Sequence, residues 1–269
     1  MKLVAAVAAM ILLVAAGAAA ATTNDFVASV VQGRELALKI LEQRPSENFT
    51  NAGVLKIQSA GRSRLEIPIQ FCAILTPTNW RSVYAAQFTN GVETLAITHP
   101  LQQPAKLEGD FPEGGKVFMP DLSNQPIGDL ETVTHSFPTS SRASTEPSIT
   151  SAQSFASSDF SVFDLSLEFF HWPQQKILKK EVHRSCGCAV LESTNPHPTT
   201  NGYSRVVSWI DEESLGIVEA YAYAADGKKL KNFYPKDFKK VNGQWQVQSM
   251  VMENLQTGSR SRLEFDLQP

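Results

Sequence analysis

Three side chains that can bind a soft metal ion fall close together in the chain: His183, Cys186 and Cys188. Imidazole nitrogens and thiolate sulfurs are the usual ligands of structural zinc. The surrounding segment has the pattern of an extended strand, in which positions 186 and 188 share one face and position 183 is expected on the other. We therefore predict no metal site and a buried or structural role for the thiols.

The cysteines leave one pairing question open. The chain has 3 cysteines, which are too few for a disulfide scaffold in a protein of this length. In an oxidising compartment Cys72 could pair with either Cys186 or Cys188, and one thiol would remain free. The sequence does not choose between these pairings.

Catalytic signatures are missing from the sequence. It has no Gly-x-Ser-x-Gly string, which many serine hydrolases place between a strand and a helix. The acidic run Asp211-Glu212-Glu213 lies between two predicted strands and is typical of a solvated turn. The histidines fall mainly in loops or at the ends of elements: His99, His135, His171, His183 and His197. We predict that the protein is not an enzyme and carries no cofactor.

Apolar and aromatic side chains form the most informative set. Between Asp159 and Phe170 they recur three or four residues apart, as in a short amphipathic helix capped by Ser158 or Asp159. Ordinary core packing is one explanation. The functional interpretation is a lid helix that covers a concave sheet and leaves its place when an acyl chain enters. The predicted ligand-binding residues are then Phe160, Phe163, Leu167, Phe170, Trp172, Trp209, Tyr221 and Trp245.

The rest of the chain indicates one helix followed mostly by strands. A helix is predicted over about 24–44, ahead of Pro45. Strict alternation of apolar and polar residues over 64–75 indicates a strand with one face on a core, in which Pro68 predicts an edge position or a bulge. Prolines and paired glycines break the pattern over 100–125.

Consecutive hairpins favour an antiparallel sheet. Turn pairs such as Asp226-Gly227 and Thr257-Gly258 separate neighbouring strand patterns. A twisted sheet of many strands tends to curl. We predict a mainly β (α+β) fold, in which about ten or eleven strands form a curved antiparallel sheet or incomplete β-barrel with an N-terminal helix and a short lid helix.

The N-terminus predicts export. Residues 1–21 combine Lys2, an apolar run and an alanine-rich end with small-residue cleavage sites, as in a secretory signal peptide. An uncleaved membrane anchor is the alternative. The predicted organisation is a cleaved signal peptide at 1–21 and a single domain at 22–269. That domain contains a flexible loop at 138–158, where 11 of 21 residues are Ser or Thr.

The charge pattern disfavours nucleic acid as a partner. The formal net charge is −3 and no long basic run is present. Lysines are denser between Lys228 and Lys240 than elsewhere. This patch is either a solvated outer face or a contact for an anionic membrane surface or an acidic partner.

Five strings between residues 158 and 265 carry a family resemblance. They are Ser158 to Leu165, Cys188 to Ser193, Gly202 to Asp211, Lys239 to Trp245 and Thr257 to Phe265. In these strings the chain resembles bacterial outer membrane lipoprotein-sorting proteins of the LolA-like superfamily. The resemblance implies an incomplete antiparallel β-barrel closed by helices, located in the periplasm, with a hydrophobic cavity for lipid or lipoprotein acyl chains.

These observations together predict a binding protein. The expected function is that of a non-enzymatic periplasmic carrier, a monomer that binds lipid or lipoprotein acyl chains in a hydrophobic cavity for outer membrane lipoprotein sorting. The alternative is an envelope sensor or adaptor that uses the same fold to bind a membrane protein partner. A hydrolase with an unrecognised site is the third hypothesis.

Overall fold

The structure, a computed structural model, describes residues 25–61, 63–100, 106–110, 153–200, 202–241 and 243–267. The predicted signal peptide at 1–21 and residues 138–152 of the predicted Ser/Thr-rich loop lie outside these ranges and stay predictions. None of the helices within the described ranges is long and apolar enough to span a membrane.

One helix precedes twelve strands in the described part of the chain. The helix, α1, spans residues 25–41 and ends three residues earlier than the sequence predicts. The strands are β1 Phe49–Gln58, β2 Arg64–Leu75, β3 Asn79–Phe88, β4 Gly91–Pro100, β5 Lys106–Asp110, β6 Gln174–His183, β7 Cys186–Thr194, β8 Arg205–Asp211, β9 Ile217–Tyr223, β10 Lys229–Val241, β11 Gln244–Asn254 and β12 Ser259–Phe265.

All twelve strands belong to a single antiparallel sheet. Their order is β5-β4-β3-β2-β1-β12-β11-β10-β9-β8-β7-β6, so β5 and β6 are the edges and the sheet is not closed into a barrel. Two meanders, β1 to β5 and β6 to β12, meet where β1 pairs with β12, from Gly53 opposite Phe265 to Gln58 opposite Arg260. The predicted fold class is therefore confirmed, with twelve strands in place of ten or eleven.

Two local features of the first meander differ from the sequence prediction. The strand β5 lies in the stretch that prolines and glycines marked as irregular, and it pairs with β4. Pro68 lies on an interior strand and at no bulge, but it is paired only on its β1 side, as a residue of an edge strand would be. The ladder between β2 and β3 begins at Ile69 opposite Ala86. Pro68 is thus just beyond it, where its missing N–H is not needed.

The sheet buries one face, here termed the inner face, under α1 and residues 153–173, here termed the aromatic segment. One core cluster joins the first meander and β12 to the aromatic segment and includes the fully buried Leu95 and Phe160. A second cluster joins α1 and the end of the aromatic segment to β7, β8 and β9, and includes Ile40 and Leu191. Both clusters therefore include side chains of the aromatic segment.

The aromatic segment contains the predicted short helix in reduced form. It folds as a 3-10 turn at Phe155–Ser157, a helix α2 at Val162–Leu165 and a second 3-10 turn at Glu168–His171. The cap of α2 is Ser161, three residues beyond Ser158 and two beyond Asp159, the two predicted caps, and it forms a reciprocal capping box with Asp164. Leu167 has a left-handed backbone with φ of 53°, which interrupts the helical path.

Helix α1 reaches the sheet at a glycine. A Cβ atom added to Gly33 would lie 2.6 Å from the amide nitrogen of Lys176 and 2.7 Å from the carbonyl carbon of Gln175. Both atoms belong to the backbone of β6, which cannot turn aside as a side chain can. The sequence marks Gly33 as a weak point of the helix, whereas the structure shows that it permits close packing.

The substitution Gly33→Ala tests this contact. Alanine improves intrinsic helix propensity by about 1 kcal/mol, yet we expect the free energy of unfolding to fall by about 2 kcal/mol because the new methyl group meets backbone. Urea unfolding measures the change. The neighbouring exposed Arg34→Ala is the control and should change stability by less than about 0.5 kcal/mol. A more stable Gly33→Ala protein would contradict the packing described above.

Candidate functional site

The aromatic segment is attached to the sheet by a buried carboxylate at its centre. Asp159 is 9% exposed. Its two carboxylate oxygens accept hydrogen bonds from the hydroxyls of Ser259 at 2.5 Å and Ser261 at 2.7 Å, both on β12. The amide of Asp159 donates to the Ser261 hydroxyl at 2.8 Å. A buried carboxylate is tolerated because these donors replace water.

A second carboxylate, Asp164, attaches α2 to β10. Lys231 donates from Nζ to Asp164 Oδ2 at 2.9 Å and to the carbonyl oxygen of Asp159 at 2.6 Å. The hydroxyl of Tyr203 donates to Asp164 Oδ1 at 2.8 Å. Burial and the Asp164 charge raise the pKa of Tyr203 well above its ordinary value, so the phenol keeps the proton that it donates.

The two ends of the aromatic segment are held as well. Near its start, the amide of Ala156 donates to Glu93 Oε1 on β4 at 2.7 Å. Near its end, the buried Gln175 of β6 donates from Nε2 to the carbonyl oxygens of Phe169 and Trp172, both at 2.9 Å. Polar contacts thus fix the segment from β4 at one end to β6 at the other.

A cavity of about 840 Å3 lies between the inner face, the end of α1 and the aromatic segment. This volume is within the range of about 300–1,000 Å3 that is typical of small-molecule sites. Its lining comes from β2 to β4 and from β8 to β11, so the sheet curves around it. The apolar lining comprises Ile40, Leu41, Phe71, Phe160, Leu167, Phe169, Val206, Ala220, Ala222, Phe233, Met250, Met252, Trp245 and Val247, among others.

The polar groups of the lining occur mainly in three places, and the first is just after α1, where Gln43 donates to the carbonyl oxygen of Ser214 and Arg44 to that of Thr76. Asp164, Lys231 and Tyr203 satisfy one another, as described above, and present no unpaired charge. Elsewhere His99 Nε2 lies 2.9 Å from the Ser82 hydroxyl, and the His99 ring stacks on Trp80 with ring centroids 4.0 Å apart. The cavity therefore offers mostly apolar surface with a few placed polar groups, which suits a long apolar ligand.

Burial keeps His99 neutral. Burial, and to a smaller extent the nearby His171, lowers the pKa of His99 from its ordinary 6.5 to about 4. The imidazole is thus uncharged at neutral pH and leaves the cavity's apolar character intact.

The structure places three of the eight predicted site residues in the cavity wall: Phe160, Leu167 and Trp245. Phe163, Phe170 and Trp172 belong instead to the second core cluster. The rings of Phe163 and Trp172 are 5.4 Å apart. These three residues help to fix the aromatic segment to α1 and the second meander.

Trp209 and Tyr221 lie on the opposite face of the sheet, here termed the outer face. Side chains alternate along a strand, and Val206 of β8 and Ala222 of β9 line the cavity. Trp209 donates from Nε1 to Glu181 at 2.7 Å and contacts Tyr221 with ring centroids 5.9 Å apart. Neither residue therefore lines the cavity, where the sequence had placed both.

Several lining residues were not singled out in the sequence. Ala220 and Ala222 leave space because they are small, and Met250 and Met252 fill an irregular wall with adaptable side chains. Their signal was present as alternation along β9 and β11, since every second residue faces inward. Alternation alone does not tell which of the two faces of each strand points toward the cavity.

The predicted orientation of His183, on the face opposite Cys186 and Cys188, is wrong. Because a two-residue turn joins β6 to β7, His183 pairs directly with Cys186 and Glu181 with Cys188, so these side chains share the outer face. Even so, the described residues contain no group of metal-binding side chains. His183 Nε2 lies 2.7 Å from Glu219 on β9.

The cysteines are free thiols. No disulfide joins Cys72 to Cys186 or Cys188, because β2 and β7 are separated by six strands in the sheet. Burial raises the pKa of Cys72 and of Cys188, so both stay protonated and are poor nucleophiles at neutral pH.

This open antiparallel sheet, with a helix and the aromatic segment on its inner face, is a fold also found in solved structures that include a LolA superfamily protein. Three solved structures share it. An outer membrane lipoprotein-sorting protein domain from Vibrio parahaemolyticus has a TM-score of 0.65 at 17% identity, covering 88% of this chain and 92% of its own. A DUF1329 family protein from Desulfovibrio piger has a TM-score of 0.63 at 18% identity, covering 88% and 91%.

A LolA superfamily protein from Nitrosomonas europaea has a TM-score of 0.52 at 19% identity, covering 89% of this chain and 92% of its own. A family model described as "Uncharacterized protein" matches residues 137–267. No protein with a curated description matches the sequence. The resemblance predicted from the sequence is therefore confirmed at the level of the fold.

The lowered pKa of His99 predicts a pH dependence of stability. An unfolded histidine binds a proton as the pH falls below 6.5, whereas native His99 does so only near pH 4. The unfolded state then holds more protons, so stability falls with falling pH across this window by about 3 kcal/mol and levels off below it.

The variant His99→Gln isolates this effect because other titrating groups are unchanged. Urea unfolding near pH 7 and near pH 4.5 should show that the wild-type protein loses about 2–3 kcal/mol more than the variant. Equal losses in the two proteins would show that His99 titrates normally.

Proposed function

We propose that the protein is a non-enzymatic carrier that binds the acyl chain of a lipid or lipoprotein in the inner-face cavity. The observation that supports this most directly is the cavity itself, about 840 Å3 with a mainly apolar lining. The cavity is open at one side, where Trp245 of its wall is 71% exposed, and an apolar groove of this size that opens to solvent is typical of a ligand site. The fold shared with a lipoprotein-sorting domain supports the same proposal.

The energetics favour a long chain over a compact ligand. Each buried methylene contributes about 0.8 kcal/mol, so ten methylenes contribute about 8 kcal/mol before the cost of ordering the chain. Met250 and Met252 in the wall can adjust to chains of different shape. Neither the gain nor the adjustment requires a catalytic group.

The proposed ligand enters with the aromatic segment in place. A lid that left the inner face would strip the buried carboxylates of Asp159 and Asp164 of their donors on β12 and β10. Water would solvate these groups again, but buried aromatic side chains such as Phe155 and Phe160 would also be exposed, at a cost of about 1.5–3 kcal/mol each. The cavity is present without that step. The proposal therefore keeps the segment in place as a wall of the cavity, in contrast to the moving lid that the sequence predicts.

The proposed setting is the periplasm of a bacterial envelope, where the carrier acts as a monomer in outer membrane lipoprotein sorting. Native mass spectrometry of protein purified from its own membranes tests the ligand class. Co-purified lipid or acylated peptide in a one-to-one complex is the expected result. An empty protein that also fails to take up palmitate would overturn the proposal and favour an envelope sensor or adaptor.

A cavity-filling variant gives a quantitative test. Ala222→Trp places an indole in the cavity, and we expect palmitate binding to weaken at least tenfold, since the ring occupies space needed by the chain. Ala220→Phe repeats the test on the same strand. Displacement of a fluorescent fatty acid measures both. Tyr223→Phe, on the outer face of β9, is the control and should bind normally. Unchanged binding by both filled variants would place the ligand elsewhere.

A further inference from the structure

An aromatic and basic surface lies at the end of the long hairpin formed by β10 and β11. The hairpin end comprises the described residues 236–241 and 243–247. Trp245 is 71% exposed, Phe238 is 52% exposed and Val247 is 39% exposed. Phe238 pairs with Val247 and Lys240 with Trp245, so these side chains share one face of the hairpin. Large apolar groups rarely stay in water together without a partner.

The same hairpin end carries an excess of positive charge. It contains Lys236, Lys239 and Lys240 against the single acid Asp237, whereas the whole chain has a formal charge of −3. Asp237 forms an ion pair with Arg262 at 2.6 Å. Its charge is thus already neutralised, and the local field of the lysines is positive.

We infer that the hairpin end contacts the surface of an anionic lipid bilayer. Tryptophan is the side chain best suited to the membrane interface, because its ring combines an apolar body with a polar N–H. Lys240, on the same face of the hairpin, attracts anionic headgroups, whereas Lys239 lies on the other face and donates to the carbonyl oxygen of Leu267. A protein partner would need apolar surface and negative charge in a matching pattern, whereas a bilayer provides both everywhere.

The hairpin end lies next to the inner-face cavity, which relates the membrane contact to ligand entry. Trp245 and Val247 also line the inner-face cavity, so the aromatic surface continues into its wall. Contact with a bilayer at this point would bring the cavity to the lipid surface and shorten the path of an acyl chain through water. The membrane contact itself does not depend on what the cavity holds.

Sedimentation with vesicles tests the inference on the full chain. Vesicles that contain phosphatidylglycerol should bind the protein, and this binding should weaken as salt is raised, whereas vesicles of phosphatidylcholine alone should bind it at least tenfold more weakly. The variants Phe238→Ser and Lys240→Glu should each weaken binding to the anionic vesicles about tenfold. Neither residue is among those lining the cavity.

The matched controls are Val182→Ser and Lys228→Glu. Val182 is 77% exposed at the edge of the sheet, and Lys228 lies in the turn before β10. Both variants should bind vesicles as the wild-type protein does. Failure of the wild-type protein to bind anionic vesicles, or equal loss in the controls, would overturn the inference.

Palmitate binding in solution separates this inference from the proposed function. Phe238→Ser and Lys240→Glu should keep wild-type affinity for palmitate. Loss of vesicle binding together with normal palmitate binding supports both the contact and the cavity. A protein that binds vesicles through the hairpin end but takes up no palmitate would retain the membrane contact and lose the carrier function.

Discussion

The structure depends on the burial of two carboxylates against the inner face of the sheet. Asp159 and Asp164 lie on a segment that is rich in aromatic groups but also carries many backbone donors and acceptors. Such a segment can be buried only where partners replace water. Ser259, Ser261 and Lys231 provide them from two strands of the second meander. The segment is consequently held on the sheet by polar as well as apolar contacts.

This constraint explains the cavity. The aromatic segment is held at fixed points on β4, β12, β10 and β6, so it spans the curved sheet and does not collapse onto it. Small residues such as Ala220 and Ala222 on the facing strands leave the remaining space unfilled. A curved sheet with a fixed span therefore keeps an apolar hollow, which is the property that a carrier of acyl chains requires.

Much of this fold was accessible from the sequence because its signals are local. The alternation of apolar and polar residues predicts β2, and the turn pairs predict the antiparallel meander of the second half. The assignment of faces was not accessible, since Trp209 and Trp245 have the same residue type and only the assembled sheet places them on opposite sides. The role of Gly33 and the partners of Asp159 are likewise contacts between residues far apart in the chain.

Hydrogen exchange of the aromatic segment, with and without saturating palmitate, tests the central claim most directly. The account predicts slow exchange of the amides between residues 155 and 171 in both states, with rates equal within about twofold. The variant Lys231→Met, which loses the ties to Asp159 and Asp164, should exchange faster and shows that the measurement is sensitive. An increase of tenfold or more when palmitate binds to the wild-type protein would show that the segment leaves the sheet as a lid, and would contradict the account.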